Sequence, residues 1–262
     1  MITALYSAAT GMEAQETNIN TISNNLANVN TTGFKRSRAN FQDLLYQNQR
    51  AVGSQASADT QVPTGIQIGL GTRTASVEKI HTMGDLQQTG RDLDLAIEGK
   101  GFFQVERPDG ETVYTRDGNF KKDREGRLVT ADGDPLVPGI TIPENATKIS
   151  VGQDGTVSAF LDNESAGTEI GVLEVARFGN PSGLRSIGGN LYRESDASGT
   201  PILGEAASEG FGTIAQGFLE GSNVSIMNEM VDLISGQRAY EINSKAVQAA
   251  DEILQQTNQL VR

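Results

Sequence analysis

The stretch LYSAATGMEAQETNINTISNNLANVNTTGFK, residues 5–35, decides the fold of this chain. Its apolar residues recur every seven positions, and a second row, broken only at Gln15, follows three positions after the first. Alternating steps of three and four residues are typical of a coiled-coil seam. Gly33 stands where such a helix would stop. We predict a helix over residues 1–30 with a seam of Leu5, Met12, Ile19 and Leu26 in one row and Ala8, Ile22 and Val29 in the other.

The C-terminal stretch, residues 226–261, has a second pattern with the same period. One apolar row recurs every seven positions without a break, and a second row, starting at Ala239, lies directly beside it. Because both ends of the chain carry heptads, we predict that the two terminal helices pair. Two helices leave part of a seam exposed, so we also expect lateral packing against other copies. The first row consists of Ile226, Leu233, Tyr240, Val247, Leu254 and Val261, and the second of Ala239, Ala246, Ile253 and Leu260.

The middle of the chain is expected to form short strands. Turn sequences such as Pro108-Asp109-Gly110 recur about every ten residues between 93 and 180, which favours an antiparallel barrel or sandwich. Residues 34–92 and 181–223 are interpreted as linker or extended regions, with a short helix near Phe41 to Tyr46 and a polar insertion at 47–64. The predicted fold class is α+β, with N- and C-terminal helices (1–33 and 224–262) pairing as a coiled-coil base, an extended linker region and a central antiparallel β domain.

The composition excludes several classes of function. The net charge is −12 and no Lys/Arg cluster stands out, so we expect no nucleic-acid partner, since phosphate contacts need a concentrated basic face. The chain has no Cys and a single histidine, His81, which makes a transition-metal site and thiol chemistry unavailable. Complete calcium-loop, phosphate-loop and nucleophile-elbow motifs are also missing. We predict no catalytic residue, no cofactor and no metal site, and therefore no enzyme.

The sequence also bears on membranes and export. No run of about 18 apolar residues is present, so we expect no membrane insertion. The first residues, Met1 to Leu5, lack the basic and apolar regions of a secretory signal peptide. The protein is therefore expected either to stay in the cytoplasm or to leave it by a route that needs no such signal.

Three stretches carry a resemblance to a known family. Residues 18–35 closely resemble the N-terminal signature of bacterial flagellar rod and hook proteins, and residues 222–260 resemble the C-terminal signature. The runs Asp94 to Val105 and Tyr114 to Gly118 resemble the β domain that these proteins share. The resemblance covers essentially the whole chain. Its N-terminal motif residues are Asn24, Asn25, Leu26, Ala27, Asn28, Gly33 and Phe34, and its C-terminal motif residues are Gln237, Arg238, Ala239, Tyr240 and Glu241.

The resemblance implies a structural axial protein that polymerises into the flagellar rod. Chain length and the polar insertion at 47–64 resemble those of the distal-rod members, which form a rigid drive shaft and export channel across the periplasm. The implied partners are other copies in a helical polymer, proximal rod proteins, the hook protein or hook–rod connection, the surrounding P and L rings, and the flagellar type III export apparatus. The implied location is the basal body in the periplasmic space, reached without a cleaved signal peptide.

Two alternatives remain at this point. One is a proximal-rod member of the same family, which has a similar length. The other belongs to a different class, in which the β domain binds a ligand and the terminal helices merely dimerise.

Overall fold

The computed structural model describes residues 2–50, 55–57, 60–61, 64–161 and 167–260. The chain divides into two compact units. The helical unit comprises Met1–Ala27, Ser37–Glu78 and Ser225–Arg262, and the β unit comprises Asn28–Arg36 and Lys79–Val224. None of the helices in the described ranges is both long and apolar enough to cross a membrane.

The helical unit contains the two terminal helices, α1 (Ile2–Ala27) and α2 (Ile226–Leu260). Both agree with the heptad prediction to within three residues at each end. The helices pack against each other in opposite directions, since the end of α1 meets the start of α2: Asn25 bonds to Glu229, whereas Gly11 faces Asn243. The predicted pairing of the terminal helices is therefore present within one chain.

Six strands complete the helical unit: β1 (Ser37–Asp43), β2 (Tyr46–Arg50), β3 (Gln55–Ser57), β4 (Thr60–Gln61), β5 (Ile66–Gly69) and β6 (Thr72–Lys79). Strand β1 pairs with β6, β2 with β5 and β3 with β4, so the segment folds back on itself as an antiparallel ribbon. The described residues of the insertion at 47–64 lie in this ribbon, and its residues 51–54, 58–59 and 62–63 lie outside the described ranges.

The predicted short helix near Phe41 to Tyr46 is wrong. Phe41 belongs to β1 and Tyr46 to β2, and between them the Leu44 N–H donates to Gly71 O at 2.9 Å. Leu45 is 83% exposed, so the run offers no buried apolar face that would favour a helix over strand pairing.

The β unit contains the remaining strands: β7 (Leu86–Gln88), β8 (Leu95–Glu98), β9 (Phe102–Glu106), β10 (Thr112–Thr115), β11 (Lys121–Lys122), β12 (Leu128–Val129), β13 (Leu136–Val137), β14 (Ala146–Val151), β15 (Thr156–Leu161), β16 (Thr168–Val172), β17 (Glu174–Arg177), β18 (Arg185–Gly188), β19 (Leu191–Arg193), β20 (Ile202–Glu205), β21 (Thr213–Gln216) and β22 (Phe218–Glu220). A 3₁₀ turn covers Pro181–Gly183.

The largest sheet is seven-stranded, in the order β18-β19-β10-β9-β17-β20, with β13 also paired to β9. Smaller sheets are β14-β15-β16, β21-β8, β22-β7 and β11-β12. The strand pairs are antiparallel, and the predicted turn at Pro108-Asp109-Gly110 connects β9 to β10 with Gly110 at a φ of 78°. The central antiparallel β region of the prediction is confirmed.

Two apolar clusters fill the β unit. The larger is mostly aliphatic, with Leu95, Val105, Val157 and Ile214 all at most 1% exposed, and it also contains Phe103 and Phe120. The smaller is aromatic and consists of Phe102, Tyr114, Ala176, Phe178, Leu184 and Tyr192. Successive side chains of a strand point to opposite sides, so Phe102 and Phe103 of β9 enter different clusters. Phe102 belongs to the smaller cluster and Phe103 to the larger one.

The compact units have different bounds from the predicted domains. The predicted linker at 181–223 supplies β18, β19 and β20 to the main sheet, and β21 pairs with β8. Residues 28–36, predicted to lie at the helix end and in the linker, also join the β unit. The Gly- and Ser-rich composition favoured a linker, but backbone pairing across long sequence distances decides the outcome.

Candidate functional site

The interface between the two terminal helices has a polar and small-residue row. Three pairs of residues lie opposite each other, spaced by seven along each helix: Asn25 with Glu229, Asn18 with Gly236, and Gly11 with Asn243. A Cβ on Gly11 would lie 2.9 Å from Asn243 Nδ2, and one on Gly236 would lie 3.3 Å from Ile19 Cγ1. The two glycines therefore leave room for the Asn243 and Ile19 side chains across the helix interface.

Asn25 lies at the end of this interface where α1 stops and α2 begins. Its side-chain amide pairs with the backbone of Ser37, donating from Nδ2 to Ser37 O at 2.8 Å and accepting from Ser37 N–H at 2.8 Å. The same Nδ2 also donates to Glu229 Oε2 at 3.1 Å. Asn25 is 1% exposed and Glu229 is 0% exposed, so one motif asparagine joins α1, β1 and α2 away from water.

The predicted seam residues of α1 face the inside of their units. Ala8 and Ile22 are buried, and the remaining members are half-buried: Leu5, Met12, Ile19, Leu26 and Val29. Val29 lies beyond the end of α1 and belongs to the β unit.

The predicted seam of α2 divides between inside and outside. Its half-buried members are Leu233, Val247 and Leu254, whereas Ile226 and Tyr240 are 49% and 42% exposed. Val261 lies outside the described residues. In the second row predicted for α2, Ala246 and Ile253 are exposed and Ala239 is half-buried, and the side chain of Leu260 lies outside the described part of the chain.

Sequence reasoning missed the second inner row of α2. Glu229 and Gly236 are buried, and Asn243 and Ala250 are half-buried. These residues are polar or small, so an apolar pattern does not reveal them. Their seven-residue spacing, matched by Gly11, Asn18 and Asn25 in α1, was the available signal.

An apolar face of α2 remains open, and we call it the outer face. It consists of Met227, Met230, Val231, Ile234, Ile242 and Ile253, whose exposed fractions lie between 47% and 77%. Exposed apolar side chains concentrated on one helix are typical of a surface that another protein covers.

The N-terminal motif continues into the β unit at Asn28–Arg36. Gly33 N–H donates to Glu220 O at 2.8 Å, and the φ of Gly33 is 67°. A Cβ at this position would lie 2.6 Å from the Asp117 backbone nitrogen, so the glycine is required by a close approach as well as by its conformation. Thr32 Oγ1 donates to Asp117 Oδ1 at 3.0 Å and fixes the neighbouring residue.

The motif lysine enters a buried charge cluster. Lys35 and Glu220 form an ion pair in which both side chains are 0% exposed, and Arg116 Nη1 lies 3.2 Å from Glu220 Oε2. Lys35 Nζ also donates to Thr82 O at 2.8 Å, and Gly84 N–H donates to Glu220 Oε1 at 2.9 Å. We call Lys35, Arg116 and Glu220 the charge cluster.

Burial governs the electrostatics of this cluster. Desolvation lowers the pKa of Lys35, an effect that the charge of Glu220 opposes and that of Arg116 reinforces. Desolvation likewise lowers the pKa of Arg116, again against the charge of Glu220. Two cations share one carboxylate, so Glu220 is the member whose loss would leave the most buried charge uncompensated.

Further contacts hold the motif on both sides of Lys35. Lys79 Nζ lies 4.7 Å from the ring centroid of Phe34, a cation–π contact. Arg36 N–H donates to Asn223 Oδ1 at 2.7 Å, and Asn223 Nδ2 donates to Ile80 O at 2.8 Å. The segment is thus joined to both the start and the end of the β unit.

The C-terminal motif residues lie on α2, mostly toward solvent. Gln237, Arg238, Tyr240 and Glu241 are exposed, and Ala239 is half-buried. Asn24 and Ala27 of the N-terminal motif are exposed as well, and Asn28 is half-buried. These positions are not brought together into one site by the described structure, and their role in assembly stays a prediction.

His81 lies near the charge cluster, and its pKa is strongly lowered. Its ring meets the edges of Phe102 and Tyr192 at centroid distances of 5.6 and 5.4 Å. Burial lowers the His81 pKa to about 4, and the positive charges of Lys35, Arg116 and Lys79 add to this effect. Within the described part of the chain, no group of three or more His, Asp and Glu residues could hold a metal ion.

The paired terminal helices and the β unit that anchors the N-terminal motif define an α+β protein. Three family models match the chain: "Flagella basal body rod protein" over residues 5–35, "Flagellar hook protein FlgE/F/G D1 domain" over 96–159, and "Flagellar basal body rod FlgEFG protein C-terminal" over 215–260.

Curated relatives match along their full length. The chain is 48% identical over 260 residues to the flagellar basal-body rod protein FlgG of Buchnera aphidicola subsp. Acyrthosiphon pisum, covering 99% of this chain and 100% of the relative. It is 48% identical to the protein of the same name from Borreliella burgdorferi, covering 100% of both chains. The flagellar hook-basal body complex protein FlhP of Bacillus subtilis is 31% identical, with 97% of each chain covered.

The chain belongs to the flagellar basal-body rod protein family. This membership confirms the predicted family, and because that family consists of structural proteins, it also confirms the prediction that the chain is not an enzyme.

Replacing Glu220 with Gln should destabilise the β unit more than replacing Lys35 with Met. The Gln variant leaves two buried cations without a carboxylate, which costs about 3–5 kcal/mol. The Met variant leaves one cation paired with one carboxylate, so we expect a loss of roughly 1–2 kcal/mol. The measurement is urea unfolding followed by near-UV circular dichroism of the buried Tyr114 and Tyr192. An equal or larger loss in the Lys35 variant would contradict this charge balance.

Stability of the β unit should fall between pH 7 and pH 4 because of His81. The unfolded chain binds a proton near pH 6.5, whereas the folded chain resists protonation until about pH 4. The contribution of the neutral His81 to the free energy of unfolding is therefore fully present above pH 6.5. It decreases by about 3 kcal/mol as the pH falls towards 4. Urea unfolding at pH 7 and pH 4 measures this loss in the parent and in a His81→Gln variant. The variant should lose about 3 kcal/mol less than the parent. Equal losses in the two proteins would contradict the role assigned to His81.

Proposed function

We propose that this protein is a structural subunit of the distal rod, which polymerises into a helical tube serving as rigid drive shaft and export channel. The single observation that carries the proposal is the outer face of α2, which stays apolar and exposed after the two terminal helices have paired. Covering the apolar surface of a long helix with a neighbouring copy is favourable by roughly 25 cal/mol per Å² of buried apolar area.

The finer form of the helix pairing is also part of the proposal. We infer that α1 and α2 form an antiparallel coiled coil and that the outer faces of neighbouring copies extend it laterally. The seven-residue spacing of the facing pairs supports the intramolecular part. A contact that does not close on itself produces a helical filament instead of a closed ring.

Assignment to the distal part of the rod rests on the ribbon that contains residues 47–64. The ribbon consists of antiparallel strand pairs, and two relatives named FlgG match this chain over 99% and 100% of its length. In this proposal the partners are other copies, proximal rod proteins, the hook or its connection to the rod, the P and L rings, and the flagellar type III export apparatus. The proposed location is the periplasmic space, reached without a cleaved signal peptide.

The two alternatives are weaker than the distal-rod proposal. A proximal-rod role would need a different use for the ribbon. A ligand-binding module that merely dimerises would not explain family models that match both the terminal helices and the β unit.

Replacing Ile242 with Asp should block polymerisation without unfolding the subunit. Ile242 is 66% exposed, so the free subunit should lose less than about 1 kcal/mol. Covering an aspartate with apolar surface costs several kcal/mol, so the critical concentration should rise roughly 100-fold or more. Sedimentation over a range of protein concentrations measures the critical concentration, and electron micrographs of the concentrated protein show whether filaments form.

The matched control for Ile242 is Gln248→Asp. Gln248 is an exposed polar residue on the same helix and is not one of the six apolar residues of the outer face, so this variant adds the same charge without removing an apolar side chain. This control should polymerise like the parent. Normal filaments from the Ile242 variant, or loss of filaments in both, would overturn the role assigned to the outer face.

Deleting residues 48–61 should leave polymerisation intact and make the filament bend more easily. The deletion removes β3, β4 and most of β2, which we propose to form the stiffening contact, while β1, β6 and both terminal helices remain. The measurement is filament curvature in electron micrographs. Straight filaments indistinguishable from the parent would count against a stiffening role.

A further inference from the structure

The β unit contains a cavity of about 330 Å³ between the aromatic cluster and the surface. Its apolar walls include Phe102, Phe178 and Ile202, and its charged walls are Lys100, Arg116 and Arg177. No Asp or Glu of the described residues lines it. Three cations without a carboxylate are unusual for a chain whose net charge is −12. A volume of this size is typical of a small-ligand site.

The positive charge that lines the cavity is only partly balanced by the described carboxylates. Arg116 is 4% exposed and shares Glu220 with Lys35, so the charge cluster retains an excess positive charge. Arg116 Nε is buried and has no hydrogen-bond partner among the described residues. A buried donor without an acceptor carries a free-energy cost that an anion in the cavity would remove.

The outer cations are positioned but weakly engaged. Arg177 Nη1 makes a long hydrogen bond of 3.5 Å to Gly210 O, and its guanidinium stacks 5.5 Å from the Phe211 ring. Lys100 is exposed and forms no ion pair with any described carboxylate. Both side chains can therefore turn toward an incoming anion without breaking a strong contact.

The cavity floor selects for an apolar body beside the negative charge. Phe102 meets Phe178 edge-on at a centroid distance of 5.8 Å, and Arg116 lies 5.4 Å from the Phe102 ring. His81, which also lines the cavity, is uncharged near pH 7 and presents its ring as part of the wall. An inorganic anion would contact the cations but leave the aromatic floor uncovered.

We propose that this cavity binds a carboxylate carried on an apolar stem. The carboxylate pairs with Arg177 and Lys100 in the field of Arg116, and the stem packs on Phe102 and Phe178. Such a group comes either from a free organic acid or from an acidic segment of a neighbouring copy.

The first test uses phenylacetate with the full-length, unpolymerised chain. Phenylacetate should cause saturable shifts in the backbone amide resonances of Gly101 and Gly179, which line the cavity. Phenylacetamide has the same shape without the charge and should bind at least about tenfold more weakly. Absence of saturable shifts, or equal binding of the amide, would overturn the proposal.

Variants identify the residues. The double variant Lys100→Gln with Arg177→Gln should weaken phenylacetate binding by at least about tenfold, because it removes both outer cations. Lys122→Gln, which removes an exposed cation from β11 outside the cavity, should bind like the parent. Unchanged binding in the double variant would also refute the site.

Polymerisation distinguishes the two sources of the carboxylate. If a neighbouring copy supplies it, phenylacetate should slow filament growth and the double variant should raise the critical concentration. If a free acid is the ligand, filaments should grow equally well in both cases and still bind phenylacetate. Binding to the dilute chain does not require polymerisation, so failure of this proposal is distinguishable from failure of the rod assignment.

Discussion

The β unit depends on one buried carboxylate, that of Glu220. It lies near the end of the unit in sequence, and its side chain pairs with Lys35 from the N-terminal motif and Arg116 from the strand region between them. Burying three charges costs several kcal/mol per ion, which only close pairing and additional hydrogen bonds offset. The surrounding backbone is arranged accordingly, since Gly84 N–H donates to the carboxylate and Gly33 N–H to the Glu220 carbonyl. Both positions require glycine, because a Cβ on Gly84 would lie 2.2 Å from Gly221 O and one on Gly33 would lie 2.6 Å from Asp117 N.

This cluster changes the meaning of the N-terminal motif. The asparagines and the glycine first suggest a helix stop, a local feature of about one turn. In the folded chain, Asn25 is instead a buried connector of three elements of the helical unit, and residues 28–36 are a component of the β unit. One short motif therefore specifies both units, which gives a physical reason for a run of residues that is poor in apolar side chains and in helix propensity.

Sequence alone predicted the elements that repeat and missed those that depend on distant partners. Heptads extend over many turns, so α1 and α2 were located closely, and Asp-Gly and Pro-Asp-Gly turns marked the β region. The prediction of a helix near Phe41 was wrong because the strand that pairs with this segment, β6, begins about thirty residues later. The charge cluster was missed for the same reason: Lys35, Arg116 and Glu220 are far apart in sequence, and nothing local distinguishes a buried lysine from a solvated one.

The composition of the helix interface explains why the terminal helices suit assembly. Its polar row fixes the register of α1 against α2 but contributes little apolar burial, since Gly11, Gly236 and Asn243 occupy places where leucines would be expected in a self-sufficient pair. Much of the apolar surface of α2 lies on the outer face instead. A helix pair built this way gains most of its stability from a further partner, because tertiary packing, and not intrinsic propensity, stabilises helices of modest propensity. Under the proposed lateral packing, such a pair is easy to unfold as a single chain and becomes rigid once neighbouring copies cover the outer face.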